Sequence, residues 1–156
     1  MARRAPNAVR CADPFHVVAW AIDALDIERR RAWNAAAGRR PTPTSAPQRM
    51  RSTGTARRSK RARYALWKNP EDLTEHQRHE LDWIAKTDPK LWRTYLLKEG
   101  LRYVFAVKGD QGKQALRRWL AWAPRSRLPA FIDLHRKITA HHAAIDATLE
   151  HHLSQG

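Results

Sequence analysis

Asp13, Pro14, Phe15 and His16 follow one another and place a carboxylate and an imidazole three positions apart. A carboxylate is a ligand that Mg²⁺ prefers, and a histidine beside it could neighbour a phosphate or a metal. The same residues have a plainer use. Asp is a good N-cap and Pro a good first helical residue, so Asp13 is also placed to begin a helix. His16 is then a partly buried structural histidine. The residues alone leave both uses open.

Other groups that bear chemistry are less well spaced. His141 and His142, and His151 and His152, are sequence neighbours. On a helix such neighbours point about 100° apart and chelate poorly. His76 and His79 are better spaced but lack an evident third ligand. A basic run holds Arg49, Arg51, Arg57, Arg58, Lys60, Arg61 and Arg63 with no acid among them. It could grip nucleic-acid phosphates and release counterions, or stand as a solvated tail. Seven tryptophans could stack on unpaired bases. Trp92 and Trp119 fall on apolar helical faces, which points to packing instead.

The elements that position these groups are mostly helical. Asn7 to Ala12 is a short β-prone stretch that ends at Asp13-Pro14. A helix follows, with Phe15, Val18, Ile22, Leu25 and Trp33 on its apolar face and Glu28 to Arg31 opposite, ending near Ala37 at Gly38. Residues 38–56, with Pro41, Pro43, Pro47 and Gly54, make a flexible linker. Helix resumes toward Trp67, and Asn69-Pro70 begins a turn or short helix. Thr74 and Gln77 form a capping box. Asp88-Pro89 opens a helix that Gly109 ends, and Asp110 caps a shorter one closed by Pro124. A last helix from Ser126–Pro129 carries Phe131, Leu134, Ile138, Ile145, Leu149 and Leu153. The sum is one strand and about six helices. A strand without a neighbour cannot satisfy its backbone.

Composition narrows the partner. Thirty Lys and Arg stand against fifteen Asp and Glu, for a net charge of +15. The surplus is eleven over residues 1–67 and four over residues 68–156. A balance this basic points to a polyanion, most often nucleic acid. The single cysteine, Cys11, allows no disulfide framework and no multi-cysteine zinc site. No apolar run approaches the ~20 residues of a membrane span, and no apolar segment follows the basic N-terminus. A cytoplasmic protein is expected.

Several blocks resemble the ISL-three family of insertion-sequence transposases. They are Cys11 to Val18, Ala24 to Asp26, Arg29 to Asn34, Arg63 to Thr74, Tyr95 to Arg102, Trp119 to Ala123 and Ser126 to Pro129. They occur in order along nearly the whole chain. The resemblance implies a ribonuclease-H-like core and an Asp-Asp-Glu set that holds two divalent ions, Mg²⁺, for cutting and rejoining DNA. It places Asp13 at the middle, catalytic and metal-holding position. It also implies an all-helical insertion.

The expected fold is mainly α: a strand and helix from the catalytic core over 1–37, the linker over 38–56, and the helical insertion over 57–153. The resemblance also implies that the basic run contacts DNA at transposon ends. In the family the first Asp lies upstream on an earlier strand, and the final Glu follows the last helix. Here no acid precedes Asp13, and the sequence reads Leu153-Ser154-Gln155-Gly156 where the last block would begin. The expectation is an internal fragment that binds no metal tightly and is inactive alone. The alternative is a non-catalytic basic helical module that binds DNA and associates with an intact transposase. Neither reading calls for a membrane or a small-molecule substrate.

Overall fold

The computed structural model describes residues 11–37 and 62–151. Seven α-helices lie among them: α1 (Pro14–Ala37), α2 (Arg63–Trp67), α3 (Glu75–Thr87), α4 (Pro89–Val107), α5 (Gly109–Trp122), α6 (Pro129–Ala140) and α7 (His142–Glu150). Two single 3₁₀ turns, Pro70–Asp72 and Ala123–Arg125, complete the order. The linker expected over 38–56 lies outside the described residues.

The mainly α expectation fits, but the N-terminal strand does not. Among the described residues there is no strand, and Cys11 to Asp13 has no regular structure. The backbone of Ala12 is satisfied by a helix instead of a ladder. Its N–H donates to the Ala144 carbonyl at 3.1 Å. Its carbonyl accepts from the Thr148 hydroxyl at 2.6 Å. Since a strand needs a partner strand for the same groups, a segment held this way has no use for one. Residues 7–10 of the expected strand lie outside the described residues.

The chain forms two compact units, residues 1–21 with 97–156, and residues 22–96. In the second unit α2 packs on α3, and Leu25, Ala65, Leu66, Leu81, Ile84 and Leu91 are buried. The capping box that starts α3 is present: Thr74 Oγ1 accepts from the Gln77 N–H at 3.2 Å, and Gln77 Oε1 accepts from the Thr74 N–H at 3.1 Å. Asp88 Oδ1 accepts from the Leu91 N–H at 3.0 Å and caps α4 in the same manner.

The first unit buries Leu97, Leu101, Val104, Leu116, Trp119, Phe131, Ile138, Ile145 and Leu149. Trp119 donates its indole N–H to the Leu97 carbonyl at 2.8 Å, which ties α5 to α4. Here α5 packs on α7. A Cβ at Gly112 would lie 2.7 Å from the Val104 carbonyl oxygen and 3.0 Å from a Leu149 methyl, so glycine permits that approach. The turn between α4 and α5 passes through Lys108 at φ 54° and Gly109 at φ 55°. Gly109 takes this conformation freely, whereas Lys108 is strained.

Three local expectations change. Asp110 lies in the first turn of α5, and the residue before the helix is Lys108, whose side chain makes no cap. The last helix is two, because the chain breaks at His141 (φ −105°, ψ 12°), whose N–H bonds the carbonyls of both Lys137 and Ile138. The buried face of α1 is also shifted. Val17, Ala21, Ala24, Leu25 and Glu28 are buried, while Phe15 is 80% and Trp33 39% exposed. Small residues allow close approach, and the polar members of this stripe are paired. Asp26 holds Arg29 at 2.7 Å and Arg30 at 2.6 Å, and Glu28 holds Arg31 at 2.9 Å.

Candidate functional site

Asp13 sits immediately before α1, where the Asp-Pro pair sets the helix start. One carboxylate oxygen, Oδ1, accepts from the Phe15 N–H at 2.9 Å. The other, Oδ2, lies 2.9 Å from His16 Nδ1. The Asp13 side chain is about half exposed and that of His16 largely exposed, so His16 is not the partly buried histidine expected on structural grounds. The structure thus brings the carboxylate and the imidazole together on the surface of the first unit.

Of the basic run, Arg63 is described, while Arg49, Arg51, Arg57, Arg58, Lys60 and Arg61 lie outside the described residues. Arg63 opens α2. Its guanidinium carbon lies 4.6 Å from the centre of the Tyr64 ring and 5.2 Å from that of Trp67. One guanidinium nitrogen, Nη2, donates to the Tyr64 hydroxyl at 2.5 Å. The two rings meet edge to face, 6.1 Å apart at 78°. Tyr64 is an exposed aromatic. Arg63 Nε and Trp67 Nε1 are shielded from solvent and find no acceptor among the described residues.

Three other histidines have individual partners. His76 Nε2 lies 3.8 Å from Glu80, and His142 Nδ1 lies 3.4 Å from Asp146. The His141 ring sits 5.4 Å from that of Trp20, over which the Lys137 ammonium lies at 4.0 Å. Trp92 stacks on Tyr95 with centroids 5.1 Å apart, and Trp119 is buried. Both tryptophans pack, as their helical faces suggest.

The family model for a DDE transposase of the ISL-three type matches residues 1–156, the full length given. The chain belongs to the ISL-three transposase family. It is 61% identical to the transposase for insertion sequence element IS1557 of Mycobacterium tuberculosis, strain CDC 1551 / Oshkosh, over 98% of this chain. The same values hold for the relative in strain ATCC 25618 / H37Rv. The chain spans 36% of the length of each of these relatives. No solved structure matches it.

Two divalent ions in an ISL-three active site would call for several carboxylates. Among the described residues no group of three or more His, Cys, Asp or Glu comes together that could hold an ion. Both oxygens of Asp13 already have partners within α1. These residues by themselves do not fit a metal pair. Among the described residues no helix is long and apolar enough to cross a membrane.

Two groups give little signal in the sequence. Tryptophan most often marks a core, so Tyr64 and Trp67 stand out only by their one- and four-residue spacing from Arg63. Lys98 is nearly fully buried, with its ammonium 2.8 Å from Glu99. Burial pushes its amine below the ordinary lysine value, against the hydrogen bond and charge of Glu99, which raise it. Only its place in a leucine-rich helix hinted at this.

Proposed function

We propose that this chain is a stretch of a DNA transposase that supplies one carboxylate, Asp13, of a DDE set and a helical region that holds DNA. On this reading residues 1–37 come from the catalytic core, 38–56 connect, and 57–153 form the helical insertion. The longer protein cuts and rejoins DNA at the ends of an insertion sequence. Mg²⁺ is the ion expected there, with Asp13 one of its ligands. Arg49, Arg51, Arg57, Arg58, Lys60, Arg61 and Arg63 hold phosphates. The observation that carries the reading is a surface carboxylate at the start of the first long helix, in a chain 61% identical to named transposases.

A lone carboxylate cannot hold two ions. Supercoiled plasmid incubated with the chain and Mg²⁺ is therefore expected to be bound but left uncut. Nicking that disappears in Asp13→Ala would mean that this polypeptide assembles a complete site, and the reading fails.

A second reading, a non-catalytic DNA-binding module that modulates an intact transposase, is favoured by the engagement of both Asp13 oxygens. It predicts that Asp13→Ala in the full-length enzyme leaves transposition intact. The first reading predicts its loss.

A further inference from the structure

Buried N–H groups in folded proteins nearly always find an acceptor, and those that do not call for an explanation. Helix α2 has two within five residues, Arg63 Nε and Trp67 Nε1, among the described residues. Both belong to one cluster, because the Arg63 guanidinium lies over the rings of Tyr64 and Trp67. The cluster reaches the surface through Tyr64, 52% exposed. It is held from below: Ala65 and Leu66 are buried, and α2 packs on α3.

The arrangement has the parts of a stacking site. The planar guanidinium sits 4.6 Å from the Tyr64 ring centre, in the place where a flat ring would stack. Duplex DNA offers phosphates to arginine, but its bases are already paired and stacked. An unpaired nucleotide offers both a ring face for Tyr64 and acceptor oxygens for the two N–H groups. Base stacking on an aromatic ring tolerates every base, because each has a π face.

We infer that Arg63, Tyr64 and Trp67 form a site for one unpaired nucleotide of a DNA strand, with the base on Tyr64, an acceptor of the base meeting Trp67 Nε1, and the Arg63 guanidinium, Nε included, meeting the strand's phosphate. Arg63 gives up its place over the ring as the base arrives and turns to the strand's phosphate. The inference rests on the reading that the basic run just before α2 contacts DNA, and it adds the form of DNA bound there.

The test compares a labelled single-stranded oligonucleotide with a hairpin duplex of equal length by fluorescence anisotropy. Tyr64→Ala is expected to weaken single-strand binding about tenfold and duplex binding less than about twofold. Tyr64→Trp is expected to keep single-strand affinity. Because Tyr64→Ala could disturb α2, a second measurement uses the unaltered chain. Light-driven crosslinking of an iodouracil-containing single strand should land on Tyr64 or Trp67. Single-strand affinity untouched by Tyr64→Ala, an equal loss on both DNAs, or crosslinks elsewhere overturn the inference while duplex binding stands. If the unaltered chain binds neither DNA, the DNA-holding reading falls with it.

Discussion

Asp13 uses one carboxylate for two purposes, and its two oxygens separate them. Oδ1 caps α1 through the Phe15 N–H, and Oδ2 faces His16. Losing an N-cap costs about 1 kcal/mol, whereas Asn caps as well as Asp. Asp13→Ala should therefore lower unfolding stability by about 1 kcal/mol, and Asp13→Asn should leave it nearly unchanged. Urea denaturation of both variants checks this; equal losses would mean that the charge, not the cap, holds the helix end. Lys98 poses the opposite problem, a cation drawn out of water. Its folded value lies below its unfolded one because of burial. Its unfavourable contribution is then full below the folded value and fades as pH rises toward 10.5. Stability from this group rises with pH across that window. Glu99 would keep Arg102 at 3.3 Å after Lys98→Met. That variant should lose the alkaline rise, whatever constant offset comes from removing one member of the pair. Thermal melts at several pH values decide it; a lower Tm with the rise intact contradicts the account. The Asp-Pro start was legible because capping is local. The exposure of Phe15 and burial of Lys98 were not, since tertiary packing decides both.

At the scale of elements, local chemistry was the legible part. The Thr74–Gln77 box and the Asp88 cap form where the sequence places them. The strand failed because alternation at Asn7 to Ala12 says nothing about which groups will meet Ala12. The final helix appeared continuous because Ile138 and Ile145 are seven residues apart, a spacing that survives a break at His141. The buried face of α1 differs from the expected one because its stripe is built on Val17, Ala21 and Ala24 rather than on the larger Phe15 and Trp33. The approach at Gly112 was equally hidden. A methyl there would be 2.7 Å from the Val104 carbonyl, and backbone cannot swing aside as a side-chain tip can. Gly112→Ala should destabilise by ~1–3 kcal/mol despite the better helix propensity of alanine. The expected signature is a lower urea midpoint at constant m. A gain in stability would mean that α4 and α5 are less closely held.

For the whole molecule the dominant quantity is charge. The surplus of eleven positive groups over residues 1–67 belongs mostly to segments outside the described helices, and the basic run lies just before α2. Composition pointed to a polyanion, and ordered blocks made the family legible; neither could show that Arg63 lies on two aromatic rings. If Arg57, Arg58 and Arg61 each neutralise one phosphate, replacing all three by Gln should flatten the plot of log affinity for duplex DNA against log salt by about 2.7. Filter binding or anisotropy over a salt series measures it. An unchanged slope places the phosphate contacts elsewhere.

The clasp between Ala12 and the helix bearing Thr148 joins residues 136 positions apart. A ribosome makes Ala12 well before Thr148, so this bond must wait until the chain has grown by another 136 residues. Residues 22–96 are continuous in sequence and can settle as they emerge, whereas the unit that includes Ala12 must first receive Leu97 onward. Translation rate and chaperone access during that interval therefore bear on the yield of native protein, because apolar surface exposed meanwhile invites aggregation.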